Sequence, residues 1–510
     1  MRLTIPQLLH HNVRHFAEKC AVTIDDHKLS FQALARLVVE ARNCFGPHVA
    51  PGDRVAIWMP NSFAWIASFL AIQELKAIAV PISTRLTAVE VSALLEDCGA
   101  RVLAVLPRYR GRNYVEEAGS IDAQRSSVII EGPSDDLTED WRAHVRYQAV
   151  GANSPELPDG IFGIMYTSGT TSKPKGVMLT AESYIRTAQY AAFCQRLTPS
   201  TRFMSPAPFF HCSGSMHAIT TSLVAGCTLH SMSSWDPERL LDLVEHHRAD
   251  VSHGIFFRDV LSLGVEKVRT KLATLKLGYD HAGSQIMQLH DEIGISGISN
   301  LYGMTETSGM FTMWFPDDPL IKRVSANGRP QPGNEIRIVD AESGAPLASD
   351  CLGEVQLRGP TITPGYFAQP EANQQAFTED GWFRTGDLGS VSPDGELRYV
   401  ARLKEIIRVG GENFAPAEVE EVLRSACQQQ NLCVIGLPDE RLQEIPVAVI
   451  VQNGPVAWDE VLAGMRGRLA QFKVPRQVYV ADALPTTPAG KVQRNVLANW
   501  IAEGKLTRVA

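Results

Sequence analysis

The chain has no C-x-x-C pair, no basic tract, no apolar leader and no uncharged run suited to a bilayer, and each absence removes a class of function. Its nine cysteines (Cys20, Cys44, Cys98, Cys194, Cys212, Cys227, Cys351, Cys427, Cys433) are an odd number scattered along 510 residues. That spacing builds neither a disulfide framework nor a zinc site, and reduced, mostly buried thiols in a cytoplasmic protein are the plain reading. Lys plus Arg number 48 against 56 Asp plus Glu, a formal charge of -8. A mildly acidic chain without clustered basic residues is a poor candidate for nucleic acid. The first residues, up to Lys19, lack the apolar segment of a signal peptide. The longest stretch free of Asp, Glu, Lys and Arg runs from Phe203 to Trp235, but it carries three His, two Pro and many Ser. It reads as a buried wall rather than a membrane span, so no integral membrane contact is expected.

What is present is an ordinary globular composition, 45% hydrophobic and 20% charged, which excludes disorder and fibrous folds. At roughly 150 residues per domain the length allows about three folding units, or one large domain and a small one. Strand-length apolar runs alternate with amphipathic helical stretches over most of the first 280 residues: Arg54–Met59 as strand, Ala64–Lys76 as helix, Ala77–Ile82, Val102–Leu106 and Ser127–Ile130 as strands. This rhythm predicts an α/β fold with mainly parallel sheets covered by helices on both faces. After about Asn327, frequent Gly and Pro between short strands predict a β-rich subdomain. A charged tetrad, Arg402-Leu-Lys-Glu405, then precedes a tail with a Gly-Gly turn, a helix opened by Pro416 and further strands. The expected domains are therefore residues 1–402, large and composed of subdomains, and 403–510, a small α+β domain.

Four segments carry candidate chemistry. Tyr166-Thr-Ser-Gly-Thr-Thr-Ser-Lys-Pro-Lys-Gly176 follows a strand-like run and gathers hydroxyl and backbone donors with two lysines, a loop suited to a polyphosphate. It is not a Walker A motif, because the G-x-x-x-x-G-K-[ST] order is absent. Asn300-Leu-Tyr-Gly-Met-Thr-Glu-Thr307 places one carboxylate, Glu306, among hydroxyls after a strand. Mg²⁺ takes one or two carboxylates plus phosphate oxygens, and Tyr302 offers a flat face for a base. Gly381-Trp-Phe-Arg-Thr-Gly-Asp-Leu-Gly389 sets Asp387 on a Gly-flanked turn, able to accept from a vicinal diol. Leu484-Pro-Thr-Thr-Pro-Ala-Gly-Lys491-Val-Gln-Arg494 presents a lysine on a Pro/Gly loop. Each has an ordinary alternative when taken alone: a surface loop, a structural Glu, an Asx-turn, a solvated lysine.

Together, in this order, with Arg402–Asn413 between the last two, these motifs resemble the adenylate-forming superfamily of acyl-CoA synthetases, non-ribosomal peptide adenylation domains and luciferases. The resemblance runs from about Phe31 to Arg494, and it implies an ATP-dependent, AMP-forming carboxylic acid–CoA ligase with ATP, Mg²⁺ and CoA as reactants. Matching positions imply that Thr167, Ser168, Gly169, Thr170, Thr171 and Lys175 close over the β- and γ-phosphates, with Thr305 at the α-phosphate and Glu306 on Mg²⁺. Tyr302 is implied beside adenine, together with Ala282, Gly283 and Ser284. Asp387 is implied on the ribose, assisted by Arg402, and Lys491 between carboxylate and α-phosphate. The resemblance further implies a hinge at Lys404 and a pantetheine tunnel lined by Gly410 and Gly411.

The segment Pro206-Ala-Pro-Phe-Phe-His211-Cys-Ser-Gly214 matches the P-L-F-H-x-x-G segment of acyl- and aryl-CoA ligases and makes His211 a gate beside the carboxylate; a core histidine bonded to backbone is the alternative. Three departures stand out. Ser172 replaces the family's second loop glycine, Ala282-Gly-Ser-Gln285 replaces G-G-A-P, and Gly254-Ile-Phe-Phe-Arg258 replaces G-V-P-T-M. No Asp marks an amine pocket, which argues against an amino acid; a fatty or other hydrophobic acid is expected, with aliphatic and aromatic acids both open and Arg258 and His281 open between pocket and surface. The alternative acceptor is the phosphopantetheine of a carrier protein. A luciferase-like oxygenase and a non-catalytic binding protein are weaker readings; intact Lys175, Glu306, Asp387 and Lys491 argue against the latter.

Overall fold

A computed structural model describes residues 3–121, 128–133, 140–145, 157–167, 174–255, 257–280, 283–409, 412–466, 468–486 and 492–510. The chain divides into two compact units: Met1–Ile336, Leu357–Phe383 and Ser392–Arg398 form the first, and Arg337–Gln356, Arg384–Val391 and Tyr399–Ala510 the second.

The first unit holds two large sheets. One has seven strands in the order Lys175–Thr180, Ile161–Thr167, Ile78–Pro81, Arg54–Trp58, Val102–Val105, Val128–Glu131, Arg142–Val145. Its inner strands are parallel and its two edge strands antiparallel. The other has nine strands, running from Arg329–Pro330 through Gly297–Tyr302 and Leu277–Asp280 to Cys20–Ile24 and His27–Ser30 at the far edge.

Strand side chains alternate between faces, and that alternation sorts the cores. Val55 and Ile57 enter one apolar core, while Ala56 and Trp58 enter another on the opposite face. Phe203 and Met204 divide in the same way on the second sheet. Sheets buried on both faces explain why their strands read as continuous apolar runs. The largest core draws on both sheets and on the helices Phe31–Phe45, Phe63–Glu74 and Ala181–Cys194. Phe63–Glu74 is apolar all round, and Phe63 through Ile72 are all buried, as a helix without a polar face must be. Ser62 caps it by accepting from the Trp65 N–H at 3.1 Å.

A four-stranded sheet follows in the order Glu335–Val339, Gly353–Arg358, Phe383–Val391, Leu397–Arg402. In the second unit, Leu432–Asp439 and Gln443–Ile450 pair antiparallel, and Gln477–Val480 joins the latter in parallel. Val434 and Ala448 face the helix Pro416–Cys427, whereas Cys433 and Val447 share a core with Leu497 of the helix Arg494–Ala502. Among the described residues no helix is long and apolar enough to cross a membrane.

Candidate active site

The strand Gly297–Tyr302 ends in a loop that folds sharply back on itself. A Cβ on Gly303 would lie 2.4 Å from the Gly309 carbonyl oxygen, so glycine is required there. Ser308 and Gly309 take φ of 58° and 94°, which completes the reversal. Inside the loop, the Thr307 hydroxyl donates to the Met304 carbonyl at 2.9 Å and accepts from the Met304 N–H at 3.0 Å. Ser308 Oγ donates to Ser183 Oγ at 2.8 Å, which ties the loop to the helix Ala181–Cys194. Thr305 is buried and Glu306 half-buried.

Glu306 is held twice by a segment far along the chain. Its carbonyl accepts from the Thr363 N–H at 2.7 Å, and its Oε1 accepts from the Tyr366 hydroxyl at 3.0 Å. That segment is itself sewn to the strand Lys175–Thr180: Met178 N–H donates to Gly365 O at 3.0 Å and Phe367 N–H to Gly176 O at 2.8 Å. The Lys175 ammonium sits 4.7 Å from the centre of the Tyr366 ring. Lys175, Tyr366 and Glu306 thus form one chain of contacts. Thr167 stands opposite Lys175 in register, with its Oγ1 donating to Lys175 O at 3.4 Å, so both border residues 168–173. Ser168, Gly169, Thr170, Thr171 and Ser172 lie outside the described residues.

His211 is half-buried, and its Nδ1 accepts the Ser213 N–H at 3.2 Å. Nδ1 is therefore the unprotonated nitrogen, and Nε2 carries the proton. The His211 carbonyl starts the next helical turn by accepting from Gly214 N–H at 3.0 Å and Ser215 N–H at 2.9 Å. A Cβ on Gly214 would approach Pro208 O to 2.3 Å, which accounts for the glycine three residues after the histidine. The neighbouring Cys212 thiol is pushed up to about 12, first by burial and further by the charge of Glu306. It is an inert thiol.

Tyr302 is 5% exposed, so little of its ring is available as a platform. Gly283 opens a short turn after Leu277–Asp280; a Cβ there would meet Asn300 Nδ2 only at 3.5 Å, so packing does not demand glycine. His281, Ala282 and Phe256 lie outside the described residues, as do the side chains of Ser284 and Arg258.

The second unit brings Asp387 and Arg402 together. Asp387 does not lie on a turn: it is within the strand Phe383–Val391, where Gly386 takes φ of 67° and kinks the strand without ending it. The Asp387 side chain is 2% exposed, and Arg402 Nε meets its Oδ1 at 2.9 Å. Arg402 Nη1 also donates to Thr385 O at 2.9 Å, so the backbone fixes the guanidinium that faces the carboxylate. Lys404 is on the turn Leu403–Glu405. Glu405 Oε2 accepts from Arg494 Nη1 at 3.0 Å, and Arg494 Nη2 reaches Glu420 Oε1 at 2.8 Å. Val409 pairs with Glu412 on either side of Gly410 and Gly411, and Thr486 with Val492 on either side of Lys491; those three residues lie outside the described set.

The structure thus assembles Thr167, Lys175, Thr305 and Glu306 around one loop in the first unit, and Asp387 with Arg402 in the second. Tyr366 and Thr363 were not read from the sequence as site residues. Their only local signal is the Pro364-Gly365 turn before an aromatic.

The family described as AMP-binding enzyme matches residues 9–367, and its C-terminal domain matches 418–491. The chain is 33% identical over 508 residues to a 3-[(3aS,4S,7aS)-7a-methyl-1,5-dioxo-octahydro-1H-inden-4-yl]propanoyl:CoA ligase of Mycobacterium tuberculosis, covering 96% of this chain and 97% of the relative. Its structure is similar to ATP-bound MatB from Rhodopseudomonas palustris, with TM-score 0.84, 25% identity and coverage of 98% and 99%. It is also similar to o-succinylbenzoate CoA synthetase from Bacillus subtilis in complex with its acyl-adenylate intermediate, with TM-score 0.82, 26% identity and coverage of 96% and 98%. That synthetase has also been solved with ATP and magnesium ion.

Proposed function

The chain belongs to the AMP-binding enzyme family, in the acyl-CoA ligase branch of the adenylate-forming enzymes, and from that membership we propose a two-step reaction on a fatty or other hydrophobic carboxylic acid. In the first step a carboxylate oxygen attacks the α-phosphorus of ATP; the bond to the β-phosphate oxygen breaks, and pyrophosphate leaves. In the second, the thiol sulfur of CoA attacks the acyl carbon, the C–O bond breaks, AMP departs and the thiol proton is released.

The observation that carries this reading is the placement of Glu306. One carboxylate oxygen is anchored by Tyr366, on a loop whose other contacts lead to Lys175. A single carboxylate, linked to a lysine through Tyr366, fits Mg²⁺ held mainly by phosphates and water, and the ion would neutralise charge on the leaving pyrophosphate. Thr167 to Lys175 bind the β- and γ-phosphates, Thr305 faces the α-phosphate, and Tyr302 with Ala282, Gly283 and Ser284 borders adenine. Asp387, steadied by Arg402, accepts from the ribose hydroxyls. Lys491 bridges carboxylate and α-phosphate, where a fixed cation stabilises the charge of in-line displacement. His211 gates the acyl side.

We place the domain boundary at 402/403 with a hinge at Lys404, so that Gly410 and Gly411 admit the pantetheine arm in the second step. CoA rather than a carrier protein is the acceptor, a reading supported by relatives named as CoA ligases that match nearly the whole chain. A hydrophobic acid is supported by relatives named as long-chain-fatty-acid–CoA ligase and feruloyl-CoA synthase. The working compartment is the cytoplasm, supported by nine unpaired thiols. Pyrophosphate release against a panel of aliphatic, aromatic and dicarboxylic acids, with and without CoA, tests the substrate class. Turnover confined to dicarboxylic acids would overturn it.

A further inference from the structure

At the far edge of the nine-stranded sheet, within the first unit, lies a cleft of about 410 Å³. The register builds it. Thr23 stands opposite Lys28 on one side and opposite His230 on the other, and directly paired residues share a face. Lys28, Thr23 and His230 therefore form a row. The helix Pro237–His247 ends against that row, and its last residue stacks on His230 with ring centres 4.1 Å apart and planes 15° from parallel. His246 meets His247 edge-on at 4.8 Å.

Nδ1 of His230 is engaged by Thr23 Oγ1 at 2.9 Å. Nε2 of His230 and Nε2 of His247 are both buried and have no hydrogen-bond partner among the described residues. Each such orphan is costly to bury, and a ligand that satisfied it would recover that cost. A metal ion is the wrong ligand. Near-parallel rings send their in-plane lone pairs along near-parallel lines, which do not converge on one ion. Among the described residues no group of three His, Cys, Asp or Glu is placed to hold a metal.

The charges point to an anion. Arg202 is neutralised by Asp250 at 3.1 Å, and Asp26 by Arg239 at 2.6 Å. Lys28, exposed at the mouth, has no ion-pair partner among the described residues. We propose that this cleft is a second anion site, separate from the catalytic loops, that takes a phosphate-class dianion: Lys28 supplies one positive charge, and a proton taken up by the stacked imidazoles supplies the other.

With the cleft empty, both rings are neutral at pH 7. Burial, then His247, Arg202 and His246, hold His230 down to about 3. Burial, then His246 and Arg239, hold His247 below the usual imidazole range, with Asp26 pulling weakly the other way. His27 and Cys20 also line the cleft; the Cys20 thiol is pushed up by burial and stays neutral. A bound dianion supplies the missing counter-charge and raises the imidazole pKa, and His247, the less buried ring, takes the proton. Binding with proton uptake tightens as pH falls.

Calorimetric titration of the full chain with sulfate, a phosphate-class anion that stays doubly charged at both pH values, near pH 6 and near pH 8 and in buffers of unlike ionisation enthalpy, tests this. Wild type is expected to take up protons on binding and to bind about threefold more tightly at the lower pH, the effect of raising one depressed imidazole pKa by about a unit. His247→Phe keeps a stacking ring but should lose the proton uptake and the pH dependence. Lys28→Gln, at an exposed position, should weaken binding at both pH values. Sulfate that binds at the catalytic loop is untouched by either substitution, so isotherms identical in all three proteins would overturn the proposal. So would the absence of any sulfate heat, or acetate binding as tightly as sulfate.

Discussion

Glu306 owes its geometry to Tyr366. The tyrosine hydroxyl donates to one carboxylate oxygen at 3.0 Å, and a hydrogen bond to a charged group contributes about 1.5–3 kcal/mol. Tyr366→Phe keeps the ring beneath Lys175 and removes only that donor. Acid-dependent ATP–pyrophosphate exchange should fall by roughly tenfold or more on that energy scale, with the loss concentrated at limiting Mg²⁺. A Mg²⁺ titration of the exchange rate checks it; an unchanged Mg²⁺ dependence would mean that the carboxylate needs no such anchor. At this scale the sequence was legible where a motif is local. Thr305 and Glu306 sit on the loop that their motif implies, and Asp387 meets Arg402. It was not legible for Tyr366, because nothing near residue 366 reveals that it will lie against residues 175 and 306.

The loop after Gly297–Tyr302 positions Thr305 and Glu306 only because it turns back at Gly303. The Gly309 carbonyl fills the space where a side chain would begin, at 2.4 Å from a Cβ. Gly303→Ala must push backbone aside, since the obstacle is not a flexible side chain. We expect it to cost about 1–3 kcal/mol of stability, in the range of overpacking, and to lower adenylation by a larger factor than that loss of folded protein explains. Thermal melts and exchange rates on the same preparation separate the two; a variant with wild-type exchange would show that the loop tolerates the shift. Elements buried on both faces were the most legible. Arg54–Met59 and Ala64–Lys76, read from apolar runs, appear as Arg54–Trp58 and Phe63–Glu74. The element around Asp387 was misread as a turn. Glycine at 386 suggested a chain reversal, whereas the structure spends its positive φ on a kink inside a continuous strand.

At the scale of the molecule, the change in texture after about Asn327 announced the β-rich region, but not the discontinuity of the second unit. That unit takes in Arg337–Gln356 and Arg384–Val391, segments joined to it by contacts between residues distant in sequence. Its Lys404 lies on a short turn, and the following Glu405 is tied to Arg494. If Lys404 is the hinge, Lys404→Pro should fix φ near -65° and obstruct the change between half-reactions. Exchange should stay within about an order of magnitude of wild type, while acyl-CoA formation falls at least about thirtyfold, or about 2 kcal/mol of barrier. Parallel loss of both would point to misfolding, and loss of neither would move the hinge elsewhere. The central claim is that an acid is activated as its adenylate before any thiol takes part. Incorporation of labelled pyrophosphate into ATP, measured with a substrate acid and without CoA, tests it most directly. The account predicts exchange that depends on the acid and needs no thiol, followed by AMP and acyl-CoA when CoA is added. Exchange that appears only with CoA present, or cleavage of ATP to ADP and phosphate, would contradict it.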